Sequence, residues 1–163
     1  MSKFACGELL GLGMALPAGM TATDRARTLQ AFLALDHINF GGRRIGIDPP
    51  TQATSLTSKQ WCHPSRRWGS VSPVVLDRFP KKGKLAAEDI VLQGVTAAGF
   101  PVPRWVRLVE VGALGGSLPS AAFRLRRPGR LFSHVEIEFH SPVKGPVLVG
   151  AERHFGLGLF LPA

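Results

Sequence analysis

The most regular alternation of apolar and polar positions in the chain runs from His134 to His140. Val135, Ile137 and Phe139 share one side, while His134, Glu136, Glu138 and His140 share the other, and this period of two predicts a strand. Ser141-Pro142 and Lys144-Gly145-Pro146 supply turn chemistry after it. Val147 to Val149 form a short apolar run, and Leu159, Phe160 and Leu161 read as a closing buried strand. Between them, Gly150, Gly156 and Gly158 surround Arg153 and His154. A glycine loop lets a ligand approach the backbone, and bare amides beside a guanidinium suit a phosphate. The same spacing also fits an ordinary tight turn between two strands.

Upstream, Leu9 to Leu16 reads as a strand ended by Pro17 and Gly19. Thr21 or Thr23 can cap a helix beginning near Asp24, whose charge suits a helix N-terminus. Leu29, Leu33 and His37 recur at four-residue steps, so this helix is expected to run to Asn39 and stop at Gly41-Gly42. Arg43 to Ile47 is a short strand, and Thr51 to Ser58 a loop. Ser70 to Leu76 is strand-like, with Pro73 marking an edge or a bulge. After the basic turn Pro80 to Lys84, Leu85 to Ala98 is a second helix with Ala87, Val91, Val95 and Ala98 on one face, capped by Gly99. Trp105 to Val111 is another strand. Gly112 to Ser120 is a flexible connection, and Phe123 to Arg130 is basic and ends at a Pro-Gly turn.

This order predicts an α+β protein: a ferredoxin-like (RRM-like) antiparallel sheet with two helices behind it, extended by C-terminal strands and a glycine-rich loop. Residues 1–112 would form the ferredoxin-like domain. Residues 113–163 would be a strand extension or a partial second unit.

Composition adds a partner class. Twenty Lys and Arg against eleven Asp and Glu give +9 over 163 residues, and nearly all of the excess follows Lys59. A polyanion is the matching partner, and a solvated basic face is the plain alternative. Cys6 and Cys62 sit in no metal-ligand or disulfide spacing, which suggests a reduced, cytoplasmic chain. The apolar run from Leu9 to Pro17 is broken by glycines and suits a strand better than a signal peptide. No segment is long enough to span a bilayer, so no membrane partner is expected. Neither a GxSxG elbow nor a GxxxxGK[ST] loop is present.

The run GAERHFGLGLF, preceded by a strand and a Pro-Val-x-Gly-Pro turn, resembles the C-terminal glycine-rich loop of the RAMP superfamily of CRISPR-associated proteins. More narrowly, it resembles the processing half of the fused backbone-and-processing subunit of type I-U (I-G) CRISPR systems. WGSVSPVVLDRFPKK, from Trp68 to Lys82, and the apolar opening before Thr21 are similar to the same family. Glu152 departs from the pattern, because the family's loop usually has glycine there. The resemblance implies ferredoxin-like architecture, binding of CRISPR repeat RNA, metal-independent endoribonucleolytic processing without a cofactor, and association with other CRISPR effector subunits. An RNA-binding subunit without catalysis, and a ferredoxin-like protein-interaction module, are the alternative readings.

Metal-free RNA cleavage needs a base for the 2'-hydroxyl proton, an acid for the leaving oxygen and a cation for the phosphorane. The chain has five histidines and no tyrosine. His37, His63 and His134 are the catalytic candidates in that order, the first because processing nucleases of the superfamily often carry a histidine in or just after the first helix. His37 also continues the Leu29–Leu33 face and fits a core histidine. Trp61 and Trp68 interleave with Arg66 and Arg67 as a stacking and phosphate platform, or are two core tryptophans with solvated arginines. The RNA-binding candidates are Arg66, Arg67, Lys81, Lys82, Lys84, Arg124, Arg126, Arg127, Arg130, Gly150, Arg153, His154, Gly156 and Gly158. His134 and His140 bracket two glutamates on one strand face, but nothing further points to a metal site.

Overall fold

A computed structural model describes residues 12–16, 19–48, 57–125 and 129–163. The protein is α+β, and its contacts divide into two compact units, Leu9–Thr57 and one that includes Ser58–Ala163.

In the smaller unit, helix α1 spans Ala22–Leu33. Thr21 caps it: its side-chain oxygen accepts the Asp24 amide at 3.1 Å, satisfying one donor that the first turn leaves over. The helix stops six residues short of Asn39. Residues His37–Phe40 instead form strand β1, paired antiparallel with β2, Arg43–Gly46. Gly41 and Gly42 have φ of 57° and 77°, the left-handed pair that a two-residue hairpin turn demands, so they close a hairpin rather than end a helix. His37 therefore opens a strand and does not sit at the end of α1. The strand expected at Leu9 to Leu16 has no regular structure over residues 12–16, and its remainder lies outside the described residues, as does most of the loop from Thr51 to Ser58.

The larger unit starts with a short helix α2, Ser58–Cys62, and strand β3, Ser65–Ser70. The strand expected from Ser70 to Leu76 is thus displaced: a corner at Val71–Pro73 separates β3 from the two-residue β4, Val74–Val75. Pro73 lacks the N–H a continuous strand would use. Helix α3 covers Ala87–Ala97. The Asp89 carboxylate accepts the Ala86 amide at 3.1 Å, and Gly99 follows the C-terminus with φ 89°. Strand β5 is Pro103–Val109, β6 is the long Phe132–Val143, and β7 is Phe160–Pro162.

Strand β6 is the centre of the sheet, with β5 along one side and β4 and β3 along the other; β7 pairs with the outer edge of β3. All pairs are antiparallel. Trp68, Ile137 and Val106 are directly opposite one another and so share a face. Trp68, Val135, Ile137, Phe139 and Phe160 on that side join Ile90, Val91 and Val95 of α3 in the core. Each such side chain taken from water contributes about 1.5–3 kcal/mol.

After β6 the chain crosses its own backbone closely. The Val149 amide donates to the Gly158 carbonyl at 2.9 Å, and a Cβ on Gly158 would fall 1.8 Å from the Val149 carbonyl oxygen. Gly158 (φ 64°) therefore has neither room nor a backbone conformation for a side chain, whereas Gly156 (φ 82°) has open space around it. Gly158→Ala is expected to destabilise the fold by about 3 kcal/mol or more. Gly156→Ala should cost only the left-handed strain, about 1–2 kcal/mol. Denaturant unfolding of the two variants checks this, and equal losses would contradict it.

Candidate functional site

The second face of the sheet carries charge. Arg67, Glu138 and Trp105 stand opposite one another in register, as do Gly69, Glu136 and Arg107. The Glu138 carboxylate is nearly buried, its side chain only 6% exposed. It accepts from Arg67 Nε at 2.7 Å and from Arg104 Nη1 at 3.0 Å, while both arginines remain more than half exposed. The Arg67 guanidinium, through its hydrogen bond first and with Arg104 adding to it, holds the Glu138 carboxyl below the usual carboxylate range. Arg107 donates to Glu136 and lies 5.8 Å from the centre of the Trp105 ring, within cation–π range. Arg67, Trp105, Arg107 and Glu136, with Ala163, line a groove of about 520 Å³. Ordered guanidinium forks beside a half-buried indole can take phosphates and stack a base.

At the other end of β6 the same face is closed. The segment after β5 lies over it, so that a Cβ on Gly69 would meet Ala113 at 2.5 Å, and one on Gly112 would meet the His134 ring at 2.9 Å. His134 is fully buried. Its Nε2 lies 3.1 Å from the Leu118 carbonyl, which can only accept, so Nε2 carries the proton. Nδ1 then accepts a hydrogen bond from the Ser70 hydroxyl at 3.1 Å, and Ser70 Oγ accepts the Val135 amide at 2.9 Å. Phe123 meets the ring edge-on at 5.8 Å. Burial lowers the His134 pKa from its ordinary 6.5. This histidine is a neutral, fully bonded element of the core, enclosed away from any substrate.

The remaining candidates are scattered. His63 is exposed beside α2, near the Val143 end of β6, whereas His134 is nine residues back along that strand, roughly 30 Å at about 3.4 Å per residue. Trp68 is 1% exposed and its indole N–H donates to the Ser65 carbonyl at 2.9 Å. It is a core tryptophan on the opposite face from Arg67, which removes it from any stacking platform. Arg66 is exposed, with Nε 3.5 Å from the Phe139 carbonyl. Lys81, Lys82 and Lys84 form an exposed basic turn, and Arg124 is exposed. Arg130 is committed to the Leu76 and Asp77 carbonyls. Arg126 and Arg127 lie outside the described residues.

The glycine loop is strapped onto the β3–β4 corner. The amides of Ala151 and Gly158 donate to the carbonyls of Val75 and Pro73, and those of Phe155 and Gly156 to Glu152 and Arg153. Ser72 Oγ donates to the Gly156 carbonyl and accepts the Leu159 amide. Arg153 donates to the Gly150 carbonyl, Gly150 packs on Val75, and Glu152 is buried, so these residues hold the loop together while His154 is exposed. Among the described residues no three His, Cys, Asp or Glu side chains converge as metal ligands, and no helix is long and apolar enough to cross a membrane.

In the smaller unit His37 is half-buried and its Nδ1 bonds to Asp36. That bond lowers the Asp36 pKa. An ionised carboxylate only accepts and a guanidinium only donates, so Nδ1 carries the proton when it bonds Asp36, leaving the lone pair on Nε2, and lacks it when it bonds Arg44. Arg44 Nη2 lies 3.1 Å from the same ring nitrogen and 4.0 Å from the carboxylate. A carboxylate-oriented histidine beside a guanidinium is a base with a cation at hand.

Arg104, Trp105 and Arg107 were not among the expected site residues. The only trace in the sequence is the alternation Trp105-x-Arg107 against Val106-x-Leu108, which marks a two-faced strand without naming the partners of its polar face.

Together these features define an α+β protein with one face of its sheet packed and part of the other open and lined by arginines. Residues 2–162 match the family model described as CRISPR-associated protein, GSU0054 family, and the chain belongs to that family. No curated protein and no solved structure matches it.

Stability should fall with acid in two stages. His134 is held neutral when folded but protonates near 6.5 when unfolded, so its contribution is complete above about pH 6.5 and shrinks below it toward the lowered folded value. The Glu138 contribution is complete above about 4.5 and is lost below it. Thermal melts from pH 8 to 2 check this. His134→Gln should remove the first stage and spare the second, and an unchanged first stage would contradict the assignment.

Proposed function

We propose that this CRISPR-associated chain binds repeat RNA across the open face of its sheet and cleaves it without a metal. The observation that carries the binding is the array of Arg67, Arg104 and Arg107, held in place by Glu138 and Glu136 around Trp105. Strand order supports it as well. Counting from β3, the four main strands lie second, third, first, fourth, with α3 joining the first to the second. That order supports a ferredoxin-like reading in which the glycine loop stands in the place of the second helix. Such a sheet presents one face to single-stranded RNA by stacking and by contacts to phosphate. The exposed basic turn at Lys81, Lys82 and Lys84 adds phosphate contacts.

Cleavage is assigned to the smaller unit on its own residues. His37 Nε2 takes the 2'-hydroxyl proton, and the 2'-oxygen attacks the adjacent phosphorus as the bond to the 5'-oxygen breaks. The leaving 5'-oxygen takes a proton from water, Asp36 holds the ring, and Arg44 supplies positive charge for the phosphorane. A subunit that binds repeat RNA without cutting it is the second reading, favoured by the burial of His134.

Trp105→Ala should weaken single-stranded RNA binding by about 1–3 kcal/mol, the usual worth of one stacked base. Replacing Lys81 and Lys82 should flatten the dependence of log affinity on log salt by about 0.7 per lost phosphate contact. Fluorescence anisotropy measures both, and binding that ignores salt would overturn the RNA reading.

Cleavage should proceed in EDTA and leave a 2',3'-cyclic phosphate. His37→Ala should slow it by about a hundredfold to ten-thousandfold. A deoxy nucleotide at the cut site should block it without loss of binding. Tight binding that leaves the RNA intact would establish the non-catalytic subunit instead.

A further inference from the structure

The groove on the open face has a finer chemistry than a phosphate platform. It offers an indole wall in Trp105, a partly exposed carboxylate in Glu136, and guanidinium groups in Arg67 and Arg107. At about 520 Å³ it can hold a nucleobase, and its charges nearly balance, since each of the two glutamates of this face is bonded to arginine. A surface built only for phosphates gains nothing from a half-exposed carboxylate, because an acid repels the backbone it must bind.

We infer that this groove reads guanine in a single-stranded segment, an inference that rests on the RNA-binding reading of the same face. Guanine carries two adjacent donors, N1–H and the N2 amine, which match the two oxygens of a carboxylate. On its other edge it carries two adjacent acceptors, O6 and N7, which match an arginine fork. Adenine, cytosine and uracil lack that pair of donors. In the bound state Glu136 accepts from N1–H and N2–H, the base stacks on Trp105, and Arg107 turns from Glu136 to the base or to its phosphate. Arg67 uses its Nε–H on Glu138 and brings the rest of its five donors to the same groove. Glu138 is buried and stays with its two arginines, so Glu136 is the residue that sets the preference.

The test compares bases while the backbone stays constant. Intrinsic fluorescence of the full chain is titrated with GMP, IMP, AMP and CMP, with Trp105→Phe as the control that identifies the responding indole. GMP should quench at the lowest concentration, IMP, which lacks the N2 amine, about fivefold higher, and AMP and CMP without saturation. In parallel, uridine-rich RNA oligonucleotides carrying one guanosine, inosine or adenosine are bound to the chain and to Glu136→Gln, whose folding is checked by circular dichroism. Guanosine should be preferred over adenosine by about tenfold, as one bidentate pair allows. Glu136→Gln should abolish that preference, so that the guanosine and adenosine oligonucleotides bind the variant with equal affinity. Equal affinity for all bases would overturn the guanine assignment and leave RNA binding standing. GMP binding through Trp105 without any RNA binding would overturn the RNA reading and with it the recognition of guanine within a strand, and neither GMP nor RNA binding would overturn both.

Discussion

The pairing of β6 on both of its sides is the constraint on which the larger unit depends. With β3 on one edge and β5 on the other, each residue of β6 from Glu136 to Glu138 has a register partner in both neighbours. Alternation then divides three strands together. Trp68, Ile137 and Val106 go inward, and Arg67, Glu138 and Trp105 go outward. A one-residue slip of β3 would send Arg67 into the core and Trp68 out of it, and one of β5 would send Trp105 and Arg107 in and Val106 out. The apolar face therefore fixes the charged one, and the placement of Arg67 beside Glu138 is a by-product of burying Trp68.

The two ends of the outer face diverge because of what covers them. Near Glu138 the side chains are long and charged, and they stand into solvent. Near His134 the partners are small, with Gly69 and Gly112 giving the covering segment room to lie flat on the strands. The result is one strand face that is open and charged at one end and a second small core at the other. A histidine met at the second end is bonded on both nitrogens and serves the fold.

Much of this was legible in the residues, and the misses share a cause. Local signals held: the alternation from His134 to His140, a cap at one of Thr21 and Thr23, the apolar face of α3 and the glycine after it read correctly, because each depends on neighbours a few residues away, although Ser141-Pro142, expected as a turn, lies within β6. The misplaced features were those in which local chemistry has two solutions. Gly41-Gly42 ends a helix or turns a hairpin, and only the pairing of His37–Phe40 with Arg43–Gly46 selects the hairpin. The spacing Trp61, Arg66, Arg67, Trp68 fits a platform until strand pairing puts Trp68 in the core. Arg104 and Arg107 were illegible for a different reason: their carboxylate partners are about thirty residues downstream, and pairing across that distance is a property of the sheet.

The shared carboxylate of Glu138 has a consequence for how such a surface selects its ligand. Arg67 and Arg104 reach it from strands on opposite sides of β6, so one acid braces two bases that do not otherwise meet. A surface that brings its own counterions is already neutralised before a partner arrives. An incoming anion must exchange one well-formed ion pair for another, and a stray ion offering only charge gains almost nothing by the exchange. What tips the balance is shape: a partner that stacks and spans several guanidinium groups at once. On the RNA-binding reading proposed above, the glutamates act as a threshold, turning a generic attraction for polyanions into a demand for one that fits.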